Sequence, residues 1–151
     1  MQIKGRILAV ASSGGHWEQL MAVRPAFADH DLIYATTTPD PTTILGDMPI
    51  HLLPECNARR PLASLRCAWR TLRLVHRLRP EFVISTGAAP GAFALFFGKF
   101  YGARTVWIDS VANAERLSLS GRLTAWFADQ HLVQWQHLSR PGGSSYWGSV
   151  L

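Results

Sequence analysis

The sequence has 151 residues, enough for one domain of ordinary size and too few for a second beside it. Hydrophobic residues make up 48% and charged residues 17%, which excludes a disordered tail. Two cysteines, Cys56 and Cys67, exclude a disulfide-dense scaffold, and no Cys/His cluster has zinc spacing, so neither a metal nor a cofactor is expected. The net charge of +5 is uneven: seven arginines and no acid lie between Arg59 and Arg79, and removing them leaves −2. Such a block asks for an anionic partner: a membrane surface, a nucleic acid or a phosphorylated ligand. The longest apolar run, Ala88 to Phe97, falls short of the roughly 20 residues that cross a bilayer. The first residues are too short and too strand-like for a signal peptide, so a cytoplasmic chain without its own membrane span is expected.

In chain order, the first strand is predicted over Arg6–Ala11, almost entirely apolar as in a strand covered on both faces. It runs into Ala11-Ser12-Ser13-Gly14-Gly15-His16 and a helix over Trp17–Ala28. Gly14 and Gly15 let backbone approach a ligand, and the helix start beyond them favours an anion. The stretch meets neither the dinucleotide nor the P-loop fingerprint. The simpler reading is a tight turn with Ser12 or Ser13 near the cap. Short strands follow over Leu32–Thr36 and Ile50–Leu53, the second inside a loop-heavy, Pro-rich connection from Pro39 to Pro54.

A helix is predicted over Leu62–Leu78. Arg66, Arg70, Arg73 and Arg77 step by four, three and four, which lines them up along one stripe. Leu62, Leu65, Trp69, Leu72 and Val75 form an adjacent apolar stripe expected to pack on a sheet. Arginines beside Trp69 suit a helix resting on anionic lipid, at about 1 kcal/mol per basic residue near the surface. Next come a strand over Phe82–Ser85 and a second small-residue loop, Ser85-Thr86-Gly87-Ala88-Ala89-Pro90-Gly91. The following helix, Gly91–Tyr101, is rich in aromatics, of which Phe93, Phe96 and Phe97 are expected in the core. A strand over Thr105–Ile108 ends in Asp109, which reads either as a general base or as a turn or cap residue. His16 is the other candidate base. A helix over Leu119–Ala128 and a strand over His131–Val133 close the pattern. Strands alternating with helices predict a Rossmann-like α/β domain with a parallel sheet and helices on both faces. In such sheets ligands gather at the carboxyl ends of the strands, which is where both glycine loops fall.

Certain residues then become recognisable: Ser13-Gly14-Gly15-His16, Leu117-Ser118-Leu119-Ser120-Gly121-Arg122-Leu123, Ala128-Asp129, Val133-Gln134-Trp135 and Tyr146-Trp147-Gly148. Together they resemble the family of asparagine-linked glycosylation protein fourteen and its bacterial PssD-like relatives, over nearly the whole chain. That resemblance implies the amino-terminal half of a MurG-like GT-B glycosyltransferase, supplied as a separate subunit. It implies a polyprenyl-diphosphate-linked acceptor, a small catalytic partner that binds the UDP-sugar, and a peripheral place on the cytoplasmic face of the membrane. By the same likeness Ser13, Gly14, Gly15, Thr86, Gly87 and Gly91 approach the acceptor's phosphates, and Asp109 or His16 activates its hydroxyl. Asp109 stands where relatives often carry Glu. Arg66, Trp69, Arg70, Arg73 and Arg77 would meet the membrane, and the chain's end, taken as its natural terminus, would meet the partner.

Rival readings are a stand-alone small nucleotide-binding domain, a non-catalytic membrane adaptor and a nucleic-acid binder. The last lacks aromatic interleaving around its basic block, so no nucleic-acid partner is expected.

Overall fold

The computed structural model describes residues 4–37 and 49–150. Strands and helices alternate: β1 (Arg6–Ala11), α1 (Gly15–Val23) continued by a 3-10 turn (Arg24–Phe27), β2 (Asp31–Thr36), β3 (Ile50–Leu52), α2 (Pro61–Leu78), β4 (Phe82–Gly87), α3 (Ala88–Phe100), β5 (Arg104–Ile108), α4 (Leu119–Thr124), β6 (Gln130–Val133), a second 3-10 turn (Gln136–Leu138) and β7 (Ser145–Tyr146). They form one sheet in the order β3-β2-β1-β4-β5-β6-β7, with every pair parallel. The strand order reverses between β1 and β4, which makes a crevice at their carboxyl ends.

Side chains alternate across the sheet and divide the core in two. Leu8, Val10, Ile33, Ala35, Val83 and Trp107 pack with Leu74 and Val75 of α2 and Leu95 of α3. Ile7, Ala9, Leu32, Tyr34 and Ile84 pack with Trp17 and Leu20 of α1 on the opposite face. Helices therefore cover both faces, as the doubly wound pattern requires.

The six strands expected from the sequence all form, each within two residues of its expected bounds. Helix ends differ more. The predicted Trp17–Ala28 helix begins earlier, at Gly15, and gives way after Val23, where Pro25 cannot continue the hydrogen-bond ladder and a 3-10 turn takes over. The predicted Leu119–Ala128 helix stops at Thr124 and tightens, Trp126 and Phe127 donating to the carbonyls three residues back. β7 and the second 3-10 turn were not expected; a two-residue strand is too short to show a pattern. Of the Pro39–Pro54 connection, residues 39–48 lie outside the described residues.

Two packing expectations are corrected. Of the stripe Leu62, Leu65, Trp69, Leu72, Val75, only Val75 is buried against the sheet: Leu62 is 82% exposed, and Leu65 and Trp69 are exposed too. The buried face of α2 is Cys67, Thr71, Leu74 and Val75, with Thr71 returning its hydroxyl to the Cys67 carbonyl. The helical period permits either face, and the smaller, partly polar stripe fits closely over the sheet while the bulkier one faces out. On α3, Phe97 packs against the core, whereas Phe96 is exposed and stacks edge-on with Phe127. The small residues Gly91, Ala94 and Gly98 take the sheet-facing side instead. A Cβ on Gly98 would lie 2.5 Å from Val83 Cγ2, so this helix sits too close to β4 for a larger residue.

Candidate functional site: the crevice between the two glycine loops

The stretch Ser85–Gly91, expected as a loop, is the end of a strand and the start of a helix, β4 passing at Gly87 directly into α3. The turn after β1 and this junction meet through His16. This residue stands in the first turn of α1, behind Gly14 at a left-handed φ of 76° that glycine adopts without strain. The His16 ring donates from Nδ1 to the Thr86 carbonyl at 3.1 Å, and the Thr86 hydroxyl donates back to the His16 carbonyl. A carbonyl can only accept, so Nδ1 holds a proton, and in the neutral ring Nε2 then keeps its lone pair. The ring lies so close to Gly87 (φ 147°) that a Cβ there would fall 2.2 Å from Nδ1. Glycine at position 87 therefore lets the ring seat. Ser13 joins the next strand end by donating its amide to the Thr37 hydroxyl at 3.0 Å. Ala88, the first residue of α3, takes φ 67°, an unusual conformation for alanine, and lines a recess beside the first glycine loop.

Asp109 is placed differently. It is 2% exposed, and its carboxylate accepts from Trp107 Nε1 at 3.1 Å, Ser118 Oγ at 2.8 Å, Asn113 Nδ2 at 3.3 Å and the Ser118 amide at 3.4 Å. Three of these four donors come from Asn113 and Ser118, so the carboxylate holds the segment 110–118 to the end of β5, where Trp107 supplies the fourth. Gly121 follows from this, since a Cβ there would lie 2.3 Å from Asp109 Oδ1. The Ser118 hydroxyl also accepts from the Gly121 amide, capping α4. Gly91 departs from its expected place on the ligand side: it is buried one turn into α3, where a Cβ would lie 1.8 Å from Ser85 Oγ. Gly15, by contrast, has open space beside it.

Sequence reasoning missed the polar core behind this site. Gln19 on α1 donates to Ser110 Oγ at 3.1 Å and accepts the Val111 amide at 3.1 Å. Gln134 donates to Gln19 Oε1 at 2.6 Å and to the Asp109 carbonyl at 3.0 Å. Trp135 Nε1 reaches the Val111 carbonyl at 2.7 Å, so the Val133-Gln134-Trp135 motif fastens the strand ends together. The available signal was Gln19 beside the large apolar residues Trp17 and Leu20 at the start of a helix. Also missed was the loop between β3 and α2. A recess of about 190 Å³ opens beside the first glycine loop, with Ser12, Ser13, Thr37, Glu55, Asn57 and Arg60 among its walls.

The basic helix lies away from this crevice. Arg66, Arg70, Arg73 and Arg77 are all exposed, beside outward-facing Leu62, Leu65 and Trp69. Phe96 and Phe100 on α3 and Leu119, Leu123 and Trp126 around α4 extend the apolar surface on the same side of the sheet. Among the described residues, no helix is long and apolar enough to cross a membrane.

A parallel sheet with its crevice at the β1/β4 switch point is the architecture of the Rossmann-like amino-terminal half of a GT-B glycosyltransferase. The fold is similar to that of Acinetobacter baumannii MurG, with a TM-score of 0.76 at 12% identity, covering 97% of this chain and 46% of that one. It is also similar to a UDP-N-acetylglucosamine 2-epimerase, with a TM-score of 0.62 at 14% identity over 87% of this chain and 42% of the other. Residues 57–150 match the family described as oligosaccharide biosynthesis protein Alg14 like, and the chain belongs to that family. The human protein named UDP-N-acetylglucosamine transferase subunit ALG14 is 26% identical over 181 aligned positions, covering 96% of this chain and 82% of its own. The Yarrowia lipolytica protein of the same name is 35% identical over 74 positions, 45% of this chain and 34% of that one.

Proposed function

We propose that the chain is the acceptor-binding, membrane-associated subunit of a two-component inverting glycosyltransferase. In this reading a smaller partner binds a UDP-sugar, and the sugar passes to a polyprenyl-diphosphate-linked glycan at the cytoplasmic face of the membrane. The carrying observation is His16: a histidine at the carboxyl ends of β1 and β4, fixed by Thr86 through Nδ1 and with no partner on Nε2 among the described residues. A second domain opposite it would exclude water from the reaction. The likeness to proteins named transferase subunits supports the division of labour.

The chemistry assigned to this chain is proton removal. His16 Nε2 takes the proton of the acceptor hydroxyl as that oxygen attacks the anomeric carbon of the donor sugar. The bond from that carbon to UDP breaks on the opposite side, so the configuration inverts. The Thr86 carbonyl stabilises the imidazolium through Nδ1–H. Asp109, buried with four donors on it, is assigned to positioning the 110–118 segment. The outward leucines, Trp69 and the arginines of α2 are assigned to the lipid surface, apolar side chains entering the headgroup layer and guanidinium groups meeting its phosphates.

The test is sugar transfer to a lipid-linked acceptor by this chain alone, by the donor-binding subunit alone, and by the two together. Activity only with both is expected. Transfer by this chain alone at rates typical of enzymes, or no association between the two, overturns the reading. Flotation with vesicles containing anionic lipid tests the membrane assignment separately; a Leu62→Ser, Leu65→Ser, Trp69→Ser triple variant is expected to stay in the soluble fraction.

A further inference from the structure

The recess beside the first glycine loop has one feature that neither the fold nor the base requires. Arg60 forms part of its wall, and among the described residues its guanidinium makes no ion pair and no side-chain hydrogen bond. Its backbone is committed, the amide donating to the Asn57 carbonyl at 3.1 Å and the carbonyl accepting from Ser64 at 2.9 Å, so the residue's root is fixed while its charged end is free. Asn57 is held as well, its carbonyl accepting from the Ser64 hydroxyl at 2.8 Å. The helix that starts here runs 18 residues and has no acid in its first turn, so the helix itself supplies no counter-charge to the cation. Across the same recess stand the hydroxyl-bearing residues Ser12, Ser13 and Thr37. Glu55 is the one acid among the described lining residues, and it forms no ion pair with Arg60.

We infer that Arg60 is the side chain that recognises the diphosphate of the lipid-linked acceptor. The inference rests on the acceptor-binding role proposed above and adds to it the source of the acceptor's counter-charge. Glycine loops offer amides, which bind phosphate oxygens but leave most of a diphosphate's negative charge uncompensated. A planar guanidinium supplies paired donors to two phosphate oxygens and a full positive charge. The recess volume of about 190 Å³ suits a diphosphate and leaves the lipid chain to run outside. Glu55 repels an anion from its own side, which confines the phosphates to the Arg60 and serine side and fixes the acceptor's direction in the crevice. Arg60 thereby selects diphosphate-linked over monophosphate-linked acceptors.

The experiment is calorimetric titration of the full chain with farnesyl diphosphate, farnesyl monophosphate, farnesol and inorganic pyrophosphate. The wild type is expected to prefer the farnesyl diphosphate over the monophosphate and over pyrophosphate. Arg60→Gln should weaken farnesyl diphosphate binding about tenfold or more and erase the preference over the monophosphate, as loss of a charge-assisted pair does. Arg60→Lys should recover part of the affinity. Arg59→Gln, one residue outside the recess, should bind as the wild type does, and Glu55→Gln should bind the diphosphate more tightly. An Arg60→Gln variant equal to the wild type, or equal losses at Arg59 and Arg60, overturns the assignment while leaving the acceptor-binding role intact. Pyrophosphate binding as tight as farnesyl diphosphate also overturns it, in favour of a free anion. Absence of any farnesyl diphosphate binding by the wild type removes the acceptor-binding role itself.

Discussion

His16 and Asp109 both stand just past the carboxyl end of a strand in one parallel sheet, and their surroundings are opposite. His16 is partly buried and held through one nitrogen, with no partner on the other among the described residues. Asp109 is buried and carries four donors on two oxygens. The contrast shows that position at a strand end does not make a residue reactive. What matters is whether the side chain has hydrogen-bonding capacity left over after it has held its own loop.

The largest expected effect tests the open side of this contrast. His16→Gln keeps a donor for the Thr86 carbonyl but cannot accept a proton in the reaction. Sugar transfer by the two-component enzyme should fall about 10²–10⁴-fold, equivalent to about 3–5 kcal/mol of barrier, with the thermal midpoint little changed. Retention of more than a tenth of wild-type kcat would end the assignment of His16 as base.

The closed side predicts a loss of stability first and of activity second. Asp109→Ala leaves the Trp107 indole N–H, the Ser118 hydroxyl and Asn113 without their acceptor, and should cost about 2–3 kcal/mol in urea unfolding. Asp109→Asn keeps the volume but replaces an acceptor oxygen with donors, so it should be destabilised less. The contrast breaks if Asp109→Asn is as stable as the wild type and yet loses transfer a hundredfold, because that pattern belongs to a base.

Glycines sort by the same criterion and give a smaller effect. Gly91→Ala drives a methyl to within 1.8 Å of Ser85 Oγ in the core and should cost about 1–3 kcal/mol. Gly15→Ala has open space and helical backbone, so stability should hold while affinity for a prenyl diphosphate drops. Equal stability losses in the two variants, measured side by side by chemical unfolding, would erase the distinction between a packing glycine and a ligand-facing one.

This sorting also explains what was legible in the sequence. The strands and the first glycine loop could be read directly, because a doubly covered strand is nearly all apolar and a loop that must bend sharply needs glycine; the second, expected over Ser85–Gly91, is instead the end of β4 running straight into α3. Placement of Gly14 and Gly87 beside His16 followed once β1 and β4 were seen to be neighbours. The roles of Gly91 and Asp109 could not be read, since a packing glycine looks like a ligand-facing one and a satisfied carboxylate looks like a free one until their partners are known. On α2 the sequence pattern pointed to the wrong apolar face, because both candidate stripes have helical spacing and only the fit over the sheet separates them. Arg60 was hidden among seven arginines, and only the recess distinguishes it from its neighbours.

The smallest effect concerns a histidine buried as part of the same framework. His131 on β6 donates from Nε2 to the Gly121 carbonyl at 2.8 Å, and its Nδ1 accepts from the Ser144 hydroxyl at 2.8 Å. Burial lowers its pKa from the ordinary histidine value, outweighing the Gly121 carbonyl and the nearby Asp109 carboxylate, which raise it. The neutral ring is therefore the folded form. The unfolded chain takes up a proton near pH 6.5 while the folded chain does so only at lower pH, so between those values acid favours unfolding. The stabilisation by neutral His131 is complete above about pH 6.5 and declines as the pH falls, by at most about 1.4 kcal/mol per pH unit for one proton. His131→Gln removes this proton uptake. It should be about 1 kcal/mol less stable than the wild type at pH 8, through lost hydrogen bonds, with the gap closing toward pH 5. Other titrating groups act equally in both proteins and cancel in that difference. A gap that stays constant from pH 8 to pH 5 would mean that His131 titrates alike in the folded and unfolded chains, and a gap that widens toward pH 5 would mean that the folded chain holds an imidazolium instead.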